Sequence, residues 1–211
     1  MNTRKKIDMI MAVLMILTMS YQATGNLFHE LAGVLLLLLF LVHNVINRKW
    51  YASLFKGRYS GCRKVLLTVN ILTLFCMLAA MGTGIYISQR LFAPLWGMRE
   101  AYLIRPLHVA AGSWGTILVS IHGGLHISLP EKRKPLMLVE GIVTAILGIL
   151  AFIALDMPSR LILRDTGMYW SYPGVLLFAA NAAVMSLFMG IGEAAGDFLK
   201  KQISKKGDER E

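Results

Sequence analysis

The sequence predicts an all-α integral membrane protein with six transmembrane helices, and three observations support this prediction. Of the 211 residues, 56% are hydrophobic and only 16% are charged, and the mean hydropathy is +0.58. The apolar residues form long continuous runs, which is typical of membrane spans rather than of the surface helices or strands of a soluble domain. The connections between the runs are short, so we expect a single membrane domain over residues 1–211.

Each of six apolar runs is close to the ~20 residues that a helix needs to cross ~30 Å of hydrocarbon. In chain order they are Ile7–Thr24, Leu27–Val45, Val65–Ser88, Pro106–Ile127, Leu136–Leu155 and Gly174–Ala195. The first run follows Arg4, Lys5 and Lys6, a pattern that also fits a secretory signal peptide. The region before Gly25 lacks a small-residue cleavage site, however, and a second span follows almost at once, so we expect the first helix to be retained.

The basic residues are distributed unequally between the two sides of the predicted membrane. With the amino terminus in the cytoplasm, 17 of the 22 Lys and Arg residues are cytoplasmic, namely Arg4, Lys5, Lys6, Arg48, Lys49, Lys56, Arg58, Arg63, Lys64, Lys132, Arg133, Lys134, Lys200, Lys201, Lys205, Lys206 and Arg210. The opposite side holds Arg90, Arg99, Arg105, Arg160 and Arg164. The positive-inside rule therefore predicts that both termini are cytoplasmic. The net charge of +10 is too dispersed for a nucleic-acid-binding face, so no nucleic-acid partner is expected.

All five histidines lie in or at the ends of only two spans, with His29 and His43 in the second and His108, His122 and His126 in the fourth. His29 and His43 are 14 residues apart, and so are His108 and His122. Fourteen helical steps return a side chain to within ~40° of its starting direction and place it ~21 Å further along the axis. Each helix therefore presents two imidazoles on one face, and ionisable groups at membrane depth indicate function.

The predicted topology brings these imidazoles together in pairs. Spans two and four both run from outside to inside, so His29 and His108 are expected at one outer depth, and His43 and His122 at one inner depth. Facing imidazoles at equal depth supply the two axial ligands of a six-coordinate haem iron. We therefore predict a haem-binding helical bundle with two haems b, one in each leaflet, since no C-x-x-C-H motif for covalent attachment occurs.

Other residues near the paired histidines are candidates for contact with the cofactor. Gly33, Gly112 and Gly115 would let a flat macrocycle approach the helix backbone, although small residues also serve ordinary helix packing in membranes. Arg105, one turn before His108, is placed either to neutralise an outer haem propionate or to lie at the membrane boundary as a simple anchor.

His126 is the fifth histidine, five turns after His108 on the same face. It is a candidate to replace His122 as the inner ligand, to contact an inner propionate, to line a quinone pocket or to lie in the helix interface. Replacing His122 would worsen the depth match with His43 by ~6 Å. Candidates for proton exchange with a quinone are Glu30 on the outer side and His126, Glu140 and Glu193 on the inner side.

The motifs that carry these histidines are His29-Glu30 with His43, and Arg105-x-x-His108 with Ile121-His122-Gly-Gly-Leu-His126. Over roughly residues 10–130 the chain resembles the cytochrome-b-type membrane subunits of respiratory dehydrogenases and hydrogenases. It is also similar to a prokaryotic family of small haem-binding membrane proteins without an assigned function. The resemblance implies that His29, His43, His108 and His122 are haem ligands in a multi-pass protein of a prokaryotic cytoplasmic membrane.

The expected function is that of a di-haem b-type cytochrome, the electron-transfer component of an oxidoreductase, acting between the quinone pool and a redox partner. Residues 7–130 would form the four-helix haem-binding core, and residues 131–211 would add two transmembrane helices and a cytoplasmic tail. Two alternatives are a transporter or metal-handling protein lined by the same histidines, and a haem-free membrane anchor subunit. A hydrated path would require polar residues between the histidines, whereas Leu36, Leu37, Phe40 and Val119 are apolar.

Overall fold

The computed structural model describes residues 3–54, 56, 60–96, 102–127, 134–164 and 170–208. Within these ranges the chain is helical, with no strand. The helices are α1 (Thr3–Met19), α2 (Tyr21–Thr24), α3 (Asn26–Ile46), α4 (Arg48–Ser53), α5 (Gly61–Tyr86), α6 (Ala93–Trp96), α7 (Ile104–Leu125), α8 (Lys134–Ala154), α9 (Met157–Leu161) and α10 (Gly174–Asp208). Arg58, Arg99, Lys132, Arg133 and Arg210, which enter the predicted charge distribution, lie outside the described residues.

Three of these helices are long and apolar enough to cross a membrane: α3, α5 and the Gly174–Lys201 part of α10. Val139–Ala154 in α8 is a shorter apolar helix. The outward-facing side chains of α3 and α5 are apolar, with Leu38 53% and Phe75 70% exposed. Such surfaces are stable against lipid and costly in water. The predicted all-helical, multi-pass membrane architecture is therefore confirmed at this level.

The helices that carry the first and fourth predicted spans are of a different kind. The helix α1 is 17 residues long, and α7 is less apolar because it contains histidines, glycines and hydroxyl side chains. Ser113, Thr116 and Ser120 of α7 are almost completely buried. The hydroxyls of Thr116 and Ser120 donate to the carbonyls of Gly112 and Thr116, four residues earlier, which removes most of the cost of burying them. These polar side chains of α7 therefore face the protein interior.

The helix α7 lies at the centre of the bundle, between α5 and α10. The helix α10 also packs along α8, and α1 packs along α3. Glycines allow the close approach of α7 and α10, because a Cβ added at Gly192 would overlap the backbone of Ile121, and one added at Gly124 would overlap the backbone of Met189. The final helix, which the sequence placed outside the core of residues 7–130, therefore packs directly on the histidine-bearing helix.

The helices α1, α3 and α5 enclose an apolar cluster at the middle of the bundle. Its buried residues are Leu14, Met15, Ala32, Leu36, Phe40, Met77 and Met185, with Val119 of α7 packed against them. Leu36 and Phe40 come between His29 and His43 in the chain, so the cluster fills the interior between the two histidine levels. Methionine suits this position because its flexible thioether fills irregular gaps.

Candidate functional site

The two histidine-bearing helices face each other across a gap. Among the described residues, no Cα atom of α3 lies within 8 Å of a Cα atom of α7. His29 and His108 nevertheless meet, because their side chains extend into the gap from opposite sides. At the other end of the same helices, His43 lies close enough to His122 and His126 to interact electrostatically. The helices are therefore parallel, with His29 beside His108 at one end and His43 and His122 both at the other end.

His29 and His108 form the better defined of the two pairs. Their ring centroids are 5.9 Å apart, and the ring planes make an angle of 83°. Nδ1 of His29 donates to the backbone carbonyl of Thr18 at 2.9 Å, and Nδ1 of His108 donates to that of Ala80 at 2.9 Å. The hydroxyl of Thr83 also lies 3.1 Å from Nδ1 of His108.

These two carbonyls determine which ring nitrogen carries the proton. A carbonyl oxygen can only accept a hydrogen bond, so the proton of each neutral imidazole is on Nδ1. Nε2 of His29 and Nε2 of His108 then each present a lone pair. Metal-binding histidines generally have this arrangement, with the non-ligating nitrogen donating to a carbonyl or carboxylate that fixes the ring.

Two cavities flank the outer pair, and His29, His108, Gly84 and Gly112 line both. The larger, with a volume of about 230 Å³, has a mainly apolar lining that also includes polar side chains, Arg105 among them. The smaller, about 110 Å³, is almost wholly apolar and extends toward the middle of the bundle. Its apolar lining includes Val34, Leu36, Leu37, Met77, Ala80, Met81, Ile85 and Phe92. Together they form a mostly apolar space around the imidazole pair, with polar side chains only in the lining of the larger cavity.

The three predicted glycines occupy different surroundings. Gly33 lies against open space and lines the apolar cavity, and Gly112 lines both cavities with the sulfur of Met19 3.7 Å from its Cβ position. Gly115 instead faces methionine side chains, with the sulfur of Met77 3.4 Å away, so its small size serves packing. Sequence reasoning missed Gly84 of α5, where an added Cβ would lie only 3.0 Å from Cε1 of His108.

Two arginines line the larger cavity, Arg105 of α7 and Arg160 of α9. The sequence indicated Arg105 through its spacing from His108, whereas Arg160 comes from a distant connection and no local pattern marks it. Ser113 also lines this cavity; it is completely buried, and among the described residues its hydroxyl has no hydrogen-bond partner. The lining thus includes two cations and a buried hydroxyl without a partner among the described residues, and cations in a lining suit a ligand that carries carboxylates.

The inner histidines have side-chain partners in place of backbone carbonyls. Nδ1 of His43 donates to the Asp8 carboxylate at 2.8 Å, and Nδ1 of His122 lies 2.7 Å from the amide oxygen of Asn70. Turning the Asn70 amide over would let its oxygen accept from Trp50 and its nitrogen donate to His122. Metal binding at Nε2 of His122 requires the first orientation, because only then does Nδ1 carry the proton.

His126 differs from the other four histidines. It follows the last residue of α7, is exposed, and its ring centroid lies 4.9 Å from that of His122. Among the described residues, no hydrogen bond orients its ring. Its position therefore suits a residue that lies beside the pair His43/His122 better than one that replaces a member of that pair.

The carboxylates predicted for proton exchange have distinct positions. Glu30 accepts hydrogen bonds from Ser88, Asn26 and the backbone N–H groups of residues 89–91, and so ties α3 to the segment after α5. Glu140 is exposed on α8, and Glu193 on α10 has one buried carboxylate oxygen without a partner among the described residues. Glu30 is therefore a structural anchor, since its oxygen lone pairs are engaged.

The sequence did not reveal the hydrogen-bond partners of the paired histidines, which are Asp8, Thr18, Asn70 and Ala80. Asp8 and Asn70 did carry a signal, because each is a polar side chain within an otherwise apolar predicted span. Thr18 and Ala80 carried none, because they contribute only a backbone carbonyl. Within the described part of the chain, no group of three or more His, Cys, Asp or Glu residues is arranged to hold a metal ion.

Comparison of the chain with protein-family models, with curated proteins and with solved structures finds no match.

Proposed function

We propose that this chain is a di-haem b-type cytochrome that transfers electrons across a prokaryotic cytoplasmic membrane, between the quinone pool and a redox partner. His29 and His108 are the axial ligands at the outer level, and His43 and His122 those at the inner level. The observation that carries the proposal is the outer pair, in which both Nδ1 atoms donate to backbone carbonyls and both Nε2 atoms are left to bind a metal.

The spacing of the outer pair suits an iron held between the two rings. Metal–imidazole bonds of about 2.0 Å put the centroids of two opposed rings roughly 6 Å apart. The centroids of His29 and His108 are 5.9 Å apart. The separation of the two rings is therefore close to the one that a metal bound by both would require.

The two cavities suit a flat amphipathic macrocycle. Its apolar edge would lie against Leu37, Met81 and Phe92, and its carboxylates would face Arg105 and Arg160. The glycines at 33, 84 and 112 keep side chains out of this space. The combination of an apolar interior with two cations at one end is a further argument for haem over a bare metal ion.

Haem, when bound, supplies one-electron chemistry, and the chain's residues determine that it is used for electron transfer. With two histidines as its protein ligands, the haem iron would have no open coordination site for oxygen. The apolar cluster between the levels excludes water, which disfavours the alternative of a transporter with a hydrated route past the histidines. The two levels are separated by ~21 Å along each helix, so an electron crosses in steps between centres.

The membrane topology proposed for this function has six spans, with α1 and α7 crossing the bilayer beside α3, α5, α8 and α10. The helix α7 tolerates its polar residues because α5 and α10 cover it. The basic residues place both termini in the cytoplasm. The pair His29/His108 then lies toward the outer surface and His43/His122 toward the cytoplasm.

The test is haem stoichiometry in the purified protein from cells supplied with haem. The wild-type protein is expected to show a reducible Soret band and two haems per chain. His29→Ala and His108→Ala should each remove the same single haem, and the double variant should remove no more than either alone. His126→Ala is the matched control and should retain two. A colourless wild-type protein, or loss of different haems from the two outer variants, would refute the proposal.

A further inference from the structure

The two histidines of α3 donate to acceptors of different charge, although both acceptors come from α1. Nδ1 of His29 donates to the neutral carbonyl of Thr18 at 2.9 Å, whereas Nδ1 of His43 donates to the carboxylate of Asp8 at 2.8 Å. The residues opposite them on α7 have neutral partners, a carbonyl for His108 and an amide for His122. Asp8 is therefore the one carboxylate hydrogen-bonded to a histidine of these pairs among the described residues.

A carboxylate behind a ligating imidazole increases the electron density on the ring and makes it a more basic ligand. A more basic ligand stabilises the oxidised iron relative to the reduced iron, and hydrogen bonding of this kind is one means by which proteins adjust haem potentials. A neutral carbonyl fixes the ring in the same way but adds much less charge. The inner and outer sites therefore differ in the property that governs the direction of electron transfer.

We infer that Asp8 is a positioning residue that gives the inner haem a lower reduction potential than the outer haem. This inference depends on the proposed function. In the favoured direction, one electron leaves the ferrous inner centre, which becomes ferric, and reduces the ferric outer centre to ferrous, with no proton transferred between them. Electrons then move from the cytoplasmic level to the outer level.

Other charged residues near the two sites affect the potentials less directly. Arg105 and Arg160 line the outer cavity, and positive charge there favours the reduced state of the outer centre. Lys200 interacts electrostatically with His126 at the inner end and opposes the effect of Asp8. Asp8 acts more directly because its carboxylate is hydrogen-bonded to His43 itself, whereas the electrostatic influence of Lys200 falls on His126.

The experiment is a redox titration of the haem-loaded protein, followed by its visible spectrum. The His29→Ala background retains only the inner haem, so its midpoint potential is measured without overlap. In this background Asp8→Asn should raise the midpoint potential. Asp197→Asn, which removes a carboxylate near the same end of the bundle without contacting His43, should leave it unchanged. Asp8→Glu keeps the carboxylate and should stay close to the starting potential.

A midpoint potential unchanged by Asp8→Asn, or shifted equally by Asp197→Asn, would overturn the inference. If Asp8→Asn loses the inner haem, Asp8→Glu decides: a midpoint potential that stays at its starting value supports the role, and a rise above that value contradicts it. Failure of the proposed function itself would be seen earlier, as an absence of haem from the unsubstituted chain.

Discussion

At the scale of single residues, the outer site depends on groups that keep the His108 ring in place. The carbonyl of Ala80 and the hydroxyl of Thr83 contact one ring nitrogen from α5, and Gly84 of the same helix lets the ring approach the backbone. A side chain at Gly84 would push against the ring at 3.0 Å from Cε1. This part of α5 therefore controls how the His108 ring is oriented.

Gly84→Ala should raise the dissociation constant of the outer haem by roughly 10-fold, the scale of effect seen when the residues that orient a metal ligand are changed. The inner haem should keep its affinity. The measurement is transfer of haem from the purified protein to an excess of apomyoglobin. Gly82→Ala is the matched control, because nothing lies within 4 Å of its Cβ position. Equal haem loss from both variants would show that Gly84 has no special relation to His108.

The sequence predicted the four paired histidines because a helix has a fixed rise and rotation per residue, and 14 steps return a side chain to the same face. It could not predict their hydrogen-bond acceptors, since Thr18 and Ala80 act through backbone atoms whose positions depend on how α1 and α5 pack. It also assigned Gly115 the same expected role as Gly112, although the methionines that surround Gly115 come from α1 and α5. Contacts within a helix could be read from the sequence, and contacts between helices could not.

At the scale of helices, the position of α7 depends on its close packing with α10. Gly192 of α10 lies against the backbone of Ile121, the residue before His122, and Gly196 lies against Leu125. The same side of α10 buries Leu177, Asn181 and Val184. Because α10 supports the inner end of α7, a change in this packing should reach the inner histidine before the outer pair.

Gly192→Ala should destabilise the protein by about 1–3 kcal/mol, because the added methyl group forces apart two backbones that are in contact. Gly190→Ala is the matched control and should be neutral or slightly stabilising, since its Cβ position is open and alanine favours helix. Thermal unfolding of the two variants in the same detergent compares them directly. A Gly192→Ala variant as stable as Gly190→Ala would mean that α7 and α10 are not in the close contact described.

At the scale of the whole molecule, function depends on which side of the membrane each haem level faces. The basic residues predict that the connection before α5 is cytoplasmic and that the connection before α7 is outside. The two native cysteines make this directly testable, because Cys62 is at the start of α5 and Cys76 lies near its middle. Once Cys76 has been replaced by alanine, labelling of Cys62 shows on which side of the membrane α5 begins.

In spheroplasts, a membrane-impermeant maleimide should leave Cys62 unlabelled in the Cys76→Ala variant, and inverted membrane vesicles should label it. Tyr102→Cys in a chain without the native cysteines provides the opposite control, because residue 102 is 84% exposed in the predicted outer connection. It should react in spheroplasts and not in inverted vesicles. The reverse pattern at both positions would place His43 and His122 at the outer surface, and electron transfer from the Asp8 side would then run into the cell instead of out of it.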